Sequence, residues 1–316
     1  MKIIFLGTPK LAVPSLEYFI KKEDVEVLTV ITQPDKPAKR GQKLTPSPVK
    51  ILAETYNIKI YQPKRIRDDE NLINILRELR PDAFITVAFG QILSKELLDI
   101  PRLGVINLHS SLLPKYRGPN PIQWAIINGD KVTGITTMLS EVEVDTGPTL
   151  LKKEILMPEN MDAVELSNII ANTGPQMLYD SIAGLDNKTL TPLSQDEKQA
   201  SHAPKLKKED GKINWTESSN VIHNKIRGMK PFPSSYTYFK ENMIKISQTE
   251  LKQTNTKKII NIDNLGKIVG IINNGIEVIT GDGSIILKQV QPAGKNIMDA
   301  VSWYNGARIK KNDKFE

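Results

Sequence analysis

An α/β fold, with a parallel sheet covered by helices on both faces and a smaller β-barrel after it, is predicted by three observations. The 316 residues exceed one average domain and suit about two. In the first part, short apolar runs rich in Ile and Val alternate with stretches that repeat apolar residues at helical spacing. From Ile213 onward the texture changes to short β-like runs separated by Gly and Asn turns.

Taken in order, "KIIFLG" (2–7), "VEVLTVIT" (25–32), "DAFITVAFG" (82–90), "GVINLHS" (104–110) and "TGITTMLS" (133–140) read as buried strands. Between them "LAVPSLEYFIKK", "VKILAETYN" and "DDENLINILRELR" read as helices with one apolar face. That repetition predicts a Rossmann-like parallel sheet whose ligand crevice lies outside the carboxyl ends of the strands. "MDAVELSNIIANTGPQMLYDSIAGL" reads as one long helix or a broken pair closing this domain, and the polar, Pro-containing stretch after it as a linker. "SYTYF" and "KIVGIINNGIEVITGDGSIILKQVQPAG" then have the spacing of a small OB-like antiparallel barrel. The expected domains are 1–190, a linker at 191–206, and 207–316.

Composition excludes several function classes. With 39% hydrophobic and 25% charged residues the chain reads as soluble and globular, and no segment reaches the ~20 apolar residues that span a bilayer. The start "MKIIFLGTPK" lacks the cationic region and long apolar run of a signal peptide, so a cytoplasmic chain without membrane contact is expected. Zero cysteines remove disulfides and thiolate chemistry. Three histidines far apart (His109, His202, His223) leave little for zinc, and no metal is expected.

Charge is uneven. Residues 1–204 carry 24 Lys and Arg against 25 Asp and Glu, whereas 205–316 carry 19 against 11. A polyanion-binding module would show this asymmetry, because each cation laid against a phosphate releases counterions; solubility alone also accounts for it. A second basic run, "PDKPAKRGQKLTPSPVK", holds Lys36, Lys39, Arg40, Lys43 and Lys50 with Asp35 as its one acid. Its Pro and Gly predict a loop outside regular structure, either a solvated surface or a contact for nucleic acid.

Two short motifs mislead. "FLGTP" ends the first strand as a dinucleotide-binding turn does, but no glycine follows Gly7 until Gly41, so a pyrophosphate would find no glycine turn. Asp145-Thr146-Gly147 matches an aspartic-protease triplet, yet that chemistry needs two such carboxylates and the triplet occurs once.

The stretch "INLHSSLLPKYRGPNPIQW" (106–124) holds a better candidate. Asn107 and His109, two apart at the carboxyl end of a predicted strand, point to one face at the edge where such sheets bind ligands. An amide and an imidazolium are both donors suited to an oxygen that becomes negative during acyl transfer. Asp145, just beyond the strand "TGITTMLS", would supply the carboxylate that manages the proton. Singly, the three also read as a turn cap, a half-buried polar residue and a turn starter.

In combination they carry more. "HSSLLPKYRG", then "TGITTM" and "VDTG", resembles the folate-dependent formyltransferase family. "IIFLGTP", the 32–50 segment, the run from Arg80 to Ile126, "KEDGKINW" (208–215) and "VQPAGK" (290–295) extend the resemblance over essentially the whole chain, toward the members that act on aminoacylated tRNA. The resemblance implies transfer of a formyl group from 10-formyltetrahydrofolate to the amino group of methionine on initiator methionyl-tRNA, for translation initiation; a monomer is expected. It implies Asn107, His109 and Asp145 as catalytic residues and Ser111, Leu112, Leu113 and Pro114 as the folate-contacting segment. It also favours tRNA contact by Lys36, Lys39, Arg40 and Lys43. The chain departs from the family pattern at Ser110, where Gly or Ala is usual, and at Glu141 and Glu143, which replace the Asp and Gly of Asp-x-Gly-x-Asp-Thr-Gly.

Overall fold

The Ile- and Val-rich runs form the middle of a seven-stranded sheet in the computed structural model, which describes residues 1–38, 43–252 and 261–316. The chain forms two compact units. The first holds Met1–Pro121, Val132–Leu156 and Ser167–Pro204; the second holds Ile122–Lys131, Met157–Leu166 and Lys205–Glu316. The second unit therefore draws in two short segments from within the sequence range expected for the first domain.

In chain order the first part contains β1 (Lys2–Gly7), α1 (Val13–Ile20), β2 (Glu26–Ile31), β3 (Lys36–Ala38), β4 (Lys43–Thr45), α2 (Pro48–Thr55), β5 (Ile60–Tyr61), α3 (Glu70–Glu78), β6 (Ala83–Val87), α4 (Lys95–Leu98) and β7 (Val105–His109). It continues with α5 (Pro121–Ile127), β8 (Val132–Leu139), β9 (Thr149–Leu156) and α6 (Ala163–Asp186). The sheet order is β5-β2-β1-β6-β7-β8-β9. Winding runs outward from β1 through β2 to β5, then resumes on the other side at β6 and β7, which opens a crevice at the carboxyl ends of β1 and β6.

The helices bury the faces their spacing predicts. In α3, Leu72, Ile73 and Leu76 pack into a cluster with Ile4, Leu6, Phe84 and Val105, and Asp69 caps the helix by accepting from the Leu72 N–H at 3.0 Å. Burying each such aliphatic side chain contributes about 1.5–3 kcal/mol. The long patterned segment is a single helix: α6 runs 24 residues through Pro175. At Gly7 a Cβ would lie 2.9 Å from the Ala12 side chain and 3.1 Å from the Val87 carbonyl, so this glycine permits tight packing at the end of β1.

Two expectations are corrected. "TGITTMLS" forms β8, but it runs antiparallel to β7, with Asn107 opposite Met138 and His109 opposite Thr136. The chain returns to the sheet beside the carboxyl end of β7 instead of crossing back to its amino end, and β9 pairs with β8 as a second antiparallel strand. A buried apolar run carries no direction of its own, so periodicity could not reveal this. The basic segment is not wholly irregular either, since β3 and β4 pair as a hairpin with Lys36 opposite Thr45 and Pro37 opposite Leu44.

In the second unit, α7 (Ser219–Gly228) is followed by β10 (Ser235–Phe239), β11 (Asn242–Leu251), β12 (Ile268–Ile272), β13 (Gly275–Ile279), β14 (Ser284–Pro292), β15 (Met298–Asp299) and α8 (Ala300–Gly306). The antiparallel sheet runs β10-β11-β14-β13-β12, with β15 beside β14. The last residues join its two edges. Ile268 donates to the Asp313 carbonyl at 2.8 Å and Phe315 to that of Gly266 at 2.9 Å, while Glu316 donates to the Tyr238 carbonyl at 3.0 Å. That strip closes the barrel, and Phe315 seals it by stacking on Trp215 with 5.4 Å between ring centroids. α7 packs on the inserted segment 122–131, so closely that a Cβ on Gly228 would lie 2.7 Å from Ile127.

Candidate active site

β7 and the loops around it bring three sequence-predicted residues together. Asn107 stands beside Thr86 of β6 in register, and the Thr86 hydroxyl donates to Asn107 Oδ1 at 2.8 Å. With its oxygen occupied, the amide turns Nδ2 away, and that nitrogen meets no partner among the described residues. His109 is 5% exposed. Its Nε2 lies 3.0 Å from the Tyr116 carbonyl and its Nδ1 3.5 Å from Asp145 Oδ1. Acceptors thus face both ring nitrogens, the Tyr116 carbonyl on one side and the Asp145 carboxylate on the other.

Asp145 does not arrive as expected. Because β8 runs antiparallel, its last residue Leu139 lies opposite Ile106, upstream of His109, and the 140–148 loop must double back. Gly147 allows this: a Cβ there would meet the Leu139 carbonyl at 1.9 Å. Asp145 adopts a left-handed backbone (φ 60°), as does Tyr116 (φ 64°), so the two strained non-glycine residues flank His109. The Gly118 N–H donates to Asp145 Oδ2 at 2.8 Å and so holds one carboxylate oxygen while the other faces His109. Glu141 and Glu143 are exposed on this loop, with Val142 and Val144 beside them at 57% and 54% exposure.

The segment expected as a linker is bound along the site. Arg117 N–H donates to the Ser201 carbonyl at 2.8 Å, Ala203 N–H to the Arg117 carbonyl at 2.7 Å, and Tyr116 N–H to Ser201 Oγ at 3.0 Å. Residues 201–203 therefore lie as a strap against the 114–118 turn.

Comparison with known proteins gives this geometry a context. Residues 1–182 match the formyl transferase family, and residues 205–308 match the formyl transferase C-terminal domain. A methionyl-tRNA formyltransferase of Clostridium tetani is 46% identical over 98% of both chains, and one of Trichodesmium erythraeum is 41% identical over 98% of this chain and 96% of its own. The chain belongs to the methionyl-tRNA formyltransferase family. Among solved structures, an N-formyltransferase from Helicobacter canadensis in complex with folinic acid and dTDP-3-aminofucose shares the fold. Its TM-score is 0.66 at 23% identity, covering 92% of this chain and 99% of its own.

The remaining residues singled out in the sequence divide by burial. In the Ser111–Pro114 segment, Ser111 and Leu113 are turned inward at 0% and 1% exposure, and Thr136 of β8 ties them down by donating to the Ser111 carbonyl and accepting from Leu113 N–H. Leu112 and Pro114 are half-buried and have surface to offer a ligand. Lys36 is exposed and bonded to Gln33. Lys39 and Arg40 lie outside the described residues, and of Lys43 only the backbone is described, in β4. Lys50 is no loop cation: it sits in α2, paired with Asp35 at 2.7 Å. Lys50, then Gln62, holds the Asp35 carboxyl below the ordinary carboxylate range.

Part of the basic C-terminal charge is likewise spent internally, since Lys252 pairs with Glu277 and Lys230 with Asp162. Thr86, Tyr116 and Gly118 are site residues that sequence reasoning did not single out. Only Thr86 left a signal, as a polar residue in an otherwise apolar run beside the strand of Asn107.

Proposed function

We infer that the protein transfers a formyl group from 10-formyltetrahydrofolate to the amino group of methionine on initiator methionyl-tRNA, for translation initiation. The observation that carries this is His109 held between Asp145 and the Tyr116 carbonyl, with the unpartnered Asn107 Nδ2 two residues away on the same strand. The folate supplies an electrophilic formyl carbon. Half-buried Leu112 and Pro114 and the exposed Val142 and Val144 beside Asp145 offer apolar surface of the kind its ring system needs.

As the amine attacks, the formyl oxygen gains negative charge. Asn107 Nδ2 donates to it, and the His109 ring stabilises it from the same strand face while Nε2 stays on Tyr116. Asp145 holds that ring and, through a bridging water, takes the proton released by the amine and passes it toward the departing nitrogen. The 3.5 Å separation is long for a hydrogen bond and would tighten with substrates in place. A monomer belongs to this reading, and a cytoplasmic setting follows from the tRNA substrate. Among the described residues no helix is long and apolar enough to cross a membrane. Lys36, Lys39, Arg40 and Lys43 meet the acceptor end of the tRNA, and the basic barrel tracks its backbone.

The test is incubation with 10-formyltetrahydrofolate and methionyl-tRNA, followed by mass analysis of the aminoacyl group. A formylated methionine is expected. Retention of tRNA without turnover would mark an RNA-binding protein, and a nicotinamide absorbance change would mark an oxidoreductase; either would overturn the reading.

A further inference from the structure

The loop that carries Asp145 is gripped from a residue far away in sequence. Gln195 Nε2 donates to the Asp145 carbonyl at 2.9 Å and to the Gly147 carbonyl at 2.7 Å, spanning the left-handed turn between them. Its other end is fixed by Arg117, which is 5% exposed. Arg117 Nε and Nη2 donate to Gln195 Oε1 at 3.1 and 2.9 Å, while Nη1 and Nη2 donate to the Glu197 carboxylate at 2.8 and 2.7 Å.

A guanidinium can only donate, so it accepts only the oxygen end of the Gln195 amide and turns the nitrogen end onto the loop. Consecutive residues thereby hold Asp145 twice. The Arg117 side chain acts on the loop backbone through Gln195, and the Gly118 N–H acts on the carboxylate directly. One grip sets the backbone of Asp145 and the other its carboxylate, so both bear on the oxygen that faces His109.

We propose that Gln195, anchored by Arg117, is a positioning residue for the reaction: it sets the pose of Asp145 against His109. This rests on the reading that Asp145 serves the transfer. Gln195→Glu preserves size and strengthens the bond to Arg117, but it removes both N–H donors and sets an oxygen against two carbonyls. Because a misplacement of about 1 Å at a reacting group costs on the order of 10²-fold, kcat should fall at least about tenfold. The KM for methionyl-tRNA should move less than about threefold, since the tRNA contacts lie elsewhere.

The decisive arm is the double variant. In an Asp145→Asn background, Gln195→Glu should cost no further activity, because the group it positions is already disabled. Wild-type kcat in Gln195→Glu, or the same fold-loss in both backgrounds, would overturn the proposal. Wild-type kcat in Asp145→Asn alone would instead overturn the reading of the site. If melting shows that Gln195→Glu does not fold, Gln195→Met, which removes the donors without adding charge, is read by the same two criteria.

Discussion

Two segments that mix the same residue types hold their cations in opposite ways in this molecule. "PKYRGPNP" (114–121) and "PDKPAKRGQK" (34–43) both mix Pro, Gly, Lys and Arg, and by sequence either could be a solvated basic loop. In the first, Arg117 is 5% exposed and its donors are consumed by Gln195 and Glu197, so the cation is a building element of the site. In the second, Lys36 stands exposed on a hairpin strand, with its charge available to a polyanion. Composition fixes how many cations a loop carries. What decides their use is whether acceptors from distant parts of the chain come within reach.

The largest effects should come from the residues the first segment surrounds. An oxyanion donor contributes on the order of 10²–10³ in rate, so Asn107→Ala and His109→Ala should each lower kcat by about that factor without lowering the melting temperature by more than a few degrees. Steady-state kinetics beside a thermal melt checks both halves. A variant near wild-type turnover would remove its residue from the mechanism.

Arg117→Ala and the triple change Lys39→Ala, Arg40→Ala, Lys43→Ala separate the two loops most sharply. The first strips a buried fork from its acceptors and should cost about 2–3 kcal/mol of stability, read by denaturant unfolding. The second should leave stability unchanged, raise the KM for methionyl-tRNA and flatten its salt dependence. Equal stability losses would erase the distinction.

A smaller loss is expected at Thr86→Val, which keeps the shape of the side chain but frees the Asn107 amide to turn its oxygen toward the reacting group. kcat should fall about five- to tenfold, since the donor is then present only part of the time, and Thr86→Ser should restore it.

The smallest effect lies at the base of the hairpin, where Lys50 is spent much as Arg117 is. The Asp35 carboxyl sits below its ordinary 3.8, first through Lys50 and then through Gln62. A depressed carboxylate stabilises the fold above its unfolded pKa, and that contribution fades as pH falls below 3.8 and through the lower folded value. NMR titration should find Asp35 titrating below 3.8, and Lys50→Met should move it back up.

Much of this was legible in the sequence. The Ile- and Val-rich runs became β1, β2, β6, β7 and β8, and the Asn107–His109 spacing put both on one strand face. Other features were hidden for a physical reason. The direction of β8, the hairpin of Lys36 and Thr45, and the strap formed by Gln195, Ser201 and Ala203 all depend on pairings across the fold, which local periodicity does not encode. Asp145 shows both sides: its chemistry was readable, whereas the loop that doubles back through Gly147 to deliver it was not.

The most direct test is single-turnover formyl transfer with both substrates saturating, run side by side for wild type, Asp145→Asn and the Lys39, Arg40 and Lys43 triple variant. Saturation cancels a binding defect, so the triple variant should react at the wild-type rate, while Asp145→Asn should be slower by about 10²–10³. A slow triple variant, or Asp145→Asn at the wild-type rate, would contradict the proposed assignment of chemistry to the Asn107–His109–Asp145 edge and of tRNA capture to the basic 34–43 segment.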